Sequence, residues 1–243
     1  MSNFQVKGIV IKCVDFNESD KIITVLTFEK GKITCIAKGV QKPNAKLAHI
    51  ARVFYCGTFE MVNTNQRNVL IGATMLMDLS GISSDLKKFY FAAHYVEIAS
   101  SVVMEEQPDE DVMKLLLNTL YVLAKDKMDI RLLTVVYEFR IAALNGLAPY
   151  MDCCVECGSE KANMKFSVSE GGLVCCQEGF SIGDISCKTI NYISLCDNKE
   201  LYGFTVPETT INELYFISRK YIERVFERKF DKADQYDKES MGG

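Results

Sequence analysis

The feature that most constrains the fold is a change of hydrophobic period near Asp78. Before it, apolar residues alternate or come in short runs rich in Val, Ile and Thr. After it, they recur every three or four residues. The first pattern is that of strands, the second that of helices. Phe4 to Val14 alternates, and Ile22 to Phe28 is a short buried run. Ile33 to Ala37 follows the turn Glu29-Lys30-Gly31-Lys32. Gly39 to Asn44 contains Gly, Pro and Asn and reads as a loop. Arg52 to Val62 and Asn68 to Met77 complete five short strands, a pattern that fits a small Greek-key barrel. An OB-fold and an SH3-like barrel are the two candidates at this point.

Beyond Asp78, the residues Leu86, Phe89, Tyr90, Ala93, Val96, Glu97 and Ala99-Ser100 have helical spacing. Asp109 is placed to cap a second helix running through Val112, Leu115, Leu116, Leu120 and Leu123. Asp129 is placed to cap a third through Leu133, Val136, Tyr137, Arg140 and Leu144. Gly146 ends that helix, with Pro149 just beyond. Pro207 opens a last helix with Leu214, Ile217, Tyr221, Ile222 and Val225 inward, and the polar tail after Lys229 is expected to fray. The expected class is α+β: a five-stranded barrel domain over 1–79, then a helical domain over 80–243 with a cysteine-rich, zinc-knuckle-like insertion at 151–187.

Charge is divided unevenly along the chain. The net charge is −4, yet residues 1–72 hold ten Lys or Arg against five Asp or Glu, and residues 73–243 hold eighteen against twenty-seven. Six basic residues and no acidic one lie between Lys30 and Arg52. Such asymmetry points to a polyanionic partner. Lys32, Lys38, Lys42, Lys46 and Arg52 are the candidate phosphate contacts, with Lys12 and Lys21 as extensions. Lysine offers a point charge without a bidentate fork, so contact with a backbone rather than with base edges is expected. Phe4, Phe16, Phe28, Phe54 and Tyr55 are the aromatic candidates for stacking on bases, although their strand positions favour a core role.

Seven of ten cysteines fall between Cys153 and Cys196. Cys154-Val-Glu-Cys157-Gly158 is followed by Cys175-Cys176-Gln177-Glu178 at the spacing of a two-knuckle zinc site. Two thiolates three residues apart pinch one metal through a tight turn, and a second knuckle closes the tetrahedron. The candidate ligands are Cys154, Cys157, Cys175 and Glu178, a carboxylate standing where the pattern wants a fourth thiol. Cys176, Cys187 and Cys153 are alternatives for that position. A structural zinc ion is expected, the other possibility being a knuckle whose thiols pack as small apolar groups.

The two histidines, His49 and His94, lie apart, and no nucleophile elbow, phosphate-binding loop or dinucleotide-binding turn is present. A binding protein rather than an enzyme is expected. No apolar run approaches the roughly 20 residues that span a bilayer. The start of the chain lacks the features of a signal peptide, so a cytoplasmic location is expected.

Several motifs together resemble the RecO family, bacterial recombination mediators of the RecF pathway. They are Gly8-Ile9-Val10, Glu18-Ser19-Asp20-Lys21-Ile22-Ile23, Gly31-Lys32 and Ala37-Lys38-Gly39-Val40. Tyr137-Glu138-Phe139-Arg140, Cys154-Val155-Glu156-Cys157-Gly158, Phe166-Ser167 and Gly171-Gly172-Leu173-Val174-Cys175 follow in order. The resemblance implies an N-terminal OB-fold, a helical domain and a zinc finger set into it. It also implies binding of single- and double-stranded DNA, annealing of complementary strands, and recombinase loading on DNA coated by single-strand-binding protein. RecR and single-strand-binding protein are the implied partners, and the nucleoid the implied place of action. The family's basic strand and loop fall on Lys38, Lys42 and Lys46. Zinc-bearing relatives have Cys at the position of Glu178.

Overall fold

The structure, a computed structural model, describes residues 2–64, 67–160, 164–198 and 200–241. The chain divides into two compact units, 1–125 and 126–243. The first begins with strands β1 (Ser2–Asp15), β2 (Lys21–Thr27), β3 (Gly31–Ala37), β4 (Cys56–Thr64) and β5 (Arg67–Met77). They close into a barrel in the order β1-β2-β3-β5-β4. Antiparallel pairs join β1 to β2, β2 to β3, β4 to β5 and β1 to β4, while β3 meets β5 in parallel through Cys35 and Ile36. This order is the OB-fold, which decides between the two barrel candidates.

Alternation explains the barrel's interior. In β3, Ile33, Cys35 and Ala37 point inward and Lys32, Thr34 and Ile36 do not. They meet Val6, Val10, Ile23, Val25, Phe59, Met61 and Leu70 in one core. β1 is long enough to serve two neighbours, with its first half on β4 and its second on β2. A bulge between Val10 and Lys12 bends it round the barrel. Gly8 sits where β1 serves both neighbours, and a side chain there would run into the Leu26 carbonyl.

The fourth strand starts later than its sequence suggests. Arg52 to Tyr55 is turn and coil, and Phe54 adopts φ +70. Phe54 N–H donates to the Val10 carbonyl and Val10 N–H to the Tyr55 carbonyl, which fixes this left-handed residue. The whole segment 38–55 is a chain of turns. Its Val40, Ile50 and Ala51 plug the barrel core, so a stretch rich in exposed lysine is held down by a few buried apolar residues.

Three helices complete the first unit: α1 (Ser80–Ser83), α2 (Leu86–Val102) and α3 (Glu110–Ala124). Asp85 caps α2 by accepting from Lys88 N–H, and Asp109 caps α3 by accepting from Val112 N–H, as expected for the latter. In α2 the buried face is Phe91, Ala92, Tyr95, Ile98 and Ala99, while Leu86 and Phe89 are exposed. Apolar residues ring this helix, so spacing alone does not choose the inward face.

The second unit contains α4 (Ile130–Leu144), strands β6 (Lys165–Ser167), β7 (Gly172–Val174) and β8 (Phe180–Ser181), then α5 (Asp184–Leu195), α6 (Glu208–Val225) and α7 (Lys232–Met241). Asp129 caps α4 through the N–H groups of Arg131 and Leu132, and Pro207 precedes α6. Leu214, Ile217, Tyr221 and Ile222 point inward as expected, with Val225 half-buried.

Among the described residues, the tail after Lys229 is helical over Lys232–Met241 rather than frayed. Phe230 and Ala233 are fully buried, and Arg219 donates to the Phe230 carbonyl and to Asp234. The same guanidinium reaches Glu138 on α4 at 2.8 Å, so an otherwise polar helix is secured by a buried charge network. No helix among the described residues is long and apolar enough to cross a membrane.

Candidate nucleic-acid interface and cysteine knuckle

The β1–β2 connection folds on itself before it meets anything else. Asn17 Oδ1 accepts from the N–H groups of Ser19 and Asp20. The turn is then tied to the segment after β3. Gly39 N–H donates to Asp20 at 2.7 Å, Gln41 N–H donates to the Ser19 carbonyl, and the Gln41 amide donates to the carbonyls of Asn17 and Asp20. The Gly39 N–H, with help from the side chains of Asn17 and Ser19, holds the Asp20 carboxyl below its ordinary value.

This stitching shapes a cleft of about 570 Å³ at the barrel mouth, lined by Phe16, Asp20, Ile36, Lys38, Thr64, Arg67 and Val69. Phe16 is 49% exposed, which is unusual for so large an apolar ring. Lys38 and Arg67, both exposed, also line it. Lys42 lies back over Gly39, beside the stitched turn. A ring with a free face, basic side chains along the same cleft and a rigid rim can accept a base and its phosphates.

The five basic candidates therefore occupy different settings. Lys38 lines the cleft, Lys42 adjoins its rim, and Lys46 is exposed on the same run of turns. Arg52 lines another depression with His49, Tyr55, Met75 and Asp78. Lys32 Nζ donates to the Ser100 carbonyl at 3.0 Å, tying the β2–β3 hairpin to the end of α2. Of the extensions, Lys12 is exposed and Lys21 faces Asp15 at 3.6 Å.

Among the aromatic candidates, Phe54 and Tyr55 are buried, and Phe4 lies under the Lys30 ammonium at 4.1 Å. Phe28 is half-buried, which leaves Phe16 with the most open face. Nothing in the local sequence singles out Arg67. Its place depends on the start of β5 lying beside the β1–β2 turn, and only the barrel's strand order predicts that.

In the second unit, Cys154 and Cys157 flank a tight turn. Gly158 N–H donates to the Cys154 carbonyl and Cys154 N–H to the Ser159 carbonyl, with Gly158 at φ +69. Val155 N–H donates to the Leu173 carbonyl in β7, which brings this turn alongside Cys175 at the strand's end. The sulfurs of Cys154, Cys157 and Cys175 lie within 4.8 Å of one another, and Cys157 Sγ is 3.4 Å from Cys175 Sγ.

The N–H groups of Cys157 and Glu156 pull the Cys154 thiol down to about 7. The neighbouring sulfurs of Cys176, Cys157 and Cys154 push Cys175 up to about 12. Three converging sulfurs, one favoured as thiolate by backbone donors, are a donor set suited to a soft or borderline cation. Glu178 and Cys176 are both exposed, and neither belongs to this mutually close group. The knuckle is anchored by Phe166, fully buried against Tyr221, whose hydroxyl donates to the Leu147 carbonyl.

An OB barrel with an open, basic mouth, followed by a helical unit bearing a cysteine knuckle, defines the class. Family models for the N-terminal and C-terminal parts of recombination protein O match residues 1–73 and 83–234. The chain is 30% identical over 241 residues to the DNA repair protein RecO of Acetivibrio thermocellus, covering 96% of each chain. It is 31% identical over 169 residues to the DNA repair protein RecO of Bacillus subtilis strain 168, covering 70% of this chain and 66% of that one. The protein of the same name from Caldicellulosiruptor saccharolyticus is 28% identical over 236 residues, covering 94% of this chain and 95% of that one. The chain belongs to the recombination protein O family, a family of DNA repair proteins.

Proposed function

We propose that the chain is a DNA-binding recombination mediator that holds single strands at the barrel mouth and performs no chemical step. The observation that carries this is the cleft in which exposed Phe16 shares a stitched rim with Lys38 and Arg67. Phe16 stacks on a base, while Lys38, Lys42 and Arg67 contact phosphates, with Lys46 extending the track. Lys32 instead secures the hairpin, because its ammonium already serves the Ser100 carbonyl. Phosphate contacts of this kind do not read sequence, and the same cations hold double-stranded DNA as well.

Annealing follows from the same surface. Cations between two polyanionic strands lower their repulsion, so complementary strands meet without any covalent step. The relatives' name supports a role in DNA repair. Within it the reading extends to recombinase loading on DNA coated by single-strand-binding protein, with RecR and that protein as partners in the cytoplasm, at the nucleoid. The cysteine knuckle takes one structural zinc ion, which would fix the turn 154–158 against β7.

The test is binding of a labelled oligonucleotide over a range of salt. With about three phosphates neutralised, log K against log salt should fall with a slope near −2 for a single strand. Binding that ignores salt would overturn the proposal. A second reading, an adaptor acting through the helical unit, rests on apolar residues left exposed there: Ile185 and Leu195 on α5 and Phe216 on α6. It is favoured if partner capture persists when DNA binding is lost and repair survives as well.

A further inference from the structure

Three sulfurs leave one corner of a metal tetrahedron to be filled, and the second unit offers several groups for it. Cys153 is engaged with the Tyr150 hydroxyl, Sγ to oxygen 3.5 Å. Cys187 lies on α5, in the field of Asp184 and Glu213. Glu178 lines a shallow cleft along β6 and β8 with Lys165, Ser167 and Ser169. Its position follows from Gly179, whose backbone presses so closely on the Phe166 carbonyl that a side chain would not fit, which pins residue 178 beside β6.

Cys176 is placed differently. Its Sγ lies 3.1 Å from Cys175 Sγ, beside the 3.4 Å approach of Cys157 to Cys175. Neighbouring residues in a strand point to opposite faces, but β7 ends at Val174 and residues 175–177 form a bend, which lifts that restriction. The Gln177 amide then donates to the Glu156 carboxylate, tying the bend to the first knuckle on the side of Cys157. Zinc–sulfur bonds of about 2.3 Å at tetrahedral angles set sulfurs about 3.8 Å apart. Both short separations need to open by less than an ångström to reach that value, while Cys176, outside the trio that lies within 4.8 Å, has to swing about an ångström or more toward Cys154 or Cys157 by rotation of its exposed side chain.

We propose that Cys176 is the fourth ligand, so that the site is built from Cys154, Cys157, Cys175 and Cys176 and Glu178 stays outside as a surface carboxylate. This rests on the metal reading above, and the test separates the two. The full chain is loaded with cobalt(II), whose sulfur-to-metal absorption reports the number of thiolates. C176S should lose about a quarter of that absorption, one sulfur of four, and release cobalt at least tenfold more readily to a competing chelator. E178Q should change neither. A normal thiolate band in C176S, whether with a weakened E178Q or with both variants unaltered, overturns the assignment. Absence of any cobalt–thiolate band in the unmutated chain overturns the metal reading itself.

Discussion

The barrel mouth and the cysteine knuckle are both loops set at strand ends, yet they are held by different means. At the mouth, the β1–β2 turn is fixed by hydrogen bonds from Asn17, Asp20, Gly39 and Gln41, and the segment behind it is plugged by Val40, Ile50 and Ala51. At the knuckle, the strands are two or three residues long, and the strongest convergence is of sulfur atoms suited to a cation. A sheet of that size does not support itself. The difference teaches that one site is preorganised by the polypeptide alone, while the other, on the metal reading proposed above, takes its order from a ligand that the polypeptide gathers.

The sharpest way to break this comparison is to remove metal. Structural zinc contributes about 10–16 kcal/mol in finger peptides, far more than so small a sheet can replace. With a chelator present, amides in 151–181 should exchange as in an unfolded chain while those in the barrel strands keep their protection. Equal protection in both regions, with and without chelator, would show that the knuckle stands without metal.

Next in size is the anchor beneath the knuckle. Phe166→Ala removes a fully buried ring packed on Tyr221 and should cost about 3–5 kcal/mol in denaturant unfolding of the second unit. Truncating one partner of the buried Arg219–Glu138 pair, as in Glu138→Ala, should cost a similar amount, about 3–5 kcal/mol, because a guanidinium is left without that carboxylate. Single-strand affinity should survive both if the barrel acts alone. Parallel loss of affinity would show that the two regions are not separable.

Phe16→Ala acts on the other side of the comparison. The exposed ring contributes little to the fold, so thermal unfolding should not move. Affinity for a single strand should fall by about 1–3 kcal/mol, the usual worth of one base stacked on an aromatic ring.

The smallest effect concerns Asp20. Its carboxyl is held low by the Gly39 N–H first and then by Asn17 and Ser19. A depressed carboxyl stabilises the fold above its ordinary range, and that contribution is lost as pH falls through the lowered value. The rim should therefore stay stitched through neutral and mildly acid pH and loosen only below the usual carboxylate range. Asp20→Asn should loosen it at pH 7, seen as faster exchange at Gly39 with the strands unchanged.

Much of this is legible in the residues. Alternation or short apolar runs mark all five strands, and Asp109, Asp129 and Pro207 mark three helix starts, because these signals are local. The start of β4 is not legible, since Phe54 takes its left-handed conformation from bonds to Val10 across the barrel. Helix α7 reads as polar tail because its anchors, Arg219 and Glu138, are distant in sequence. Charge counting treats Lys32, Lys38 and Lys42 alike, because the bond from Lys32 to the Ser100 carbonyl joins residues far apart in sequence. Phe16 stands out as an aromatic yet weighs as core, and Arg67 does not stand out at all. Both line one cleft, and only the strand order brings them together there.

The most direct measurement is salt-dependent binding of a single-stranded oligonucleotide by the unmutated chain and by the double variant K38E/K42E. With two phosphates no longer neutralised, affinity at low salt should collapse and the log–log slope should become shallower by about 1.4, while the unfolding transition stays in place. Unchanged affinity and slope in a folded double variant would contradict binding at the barrel mouth.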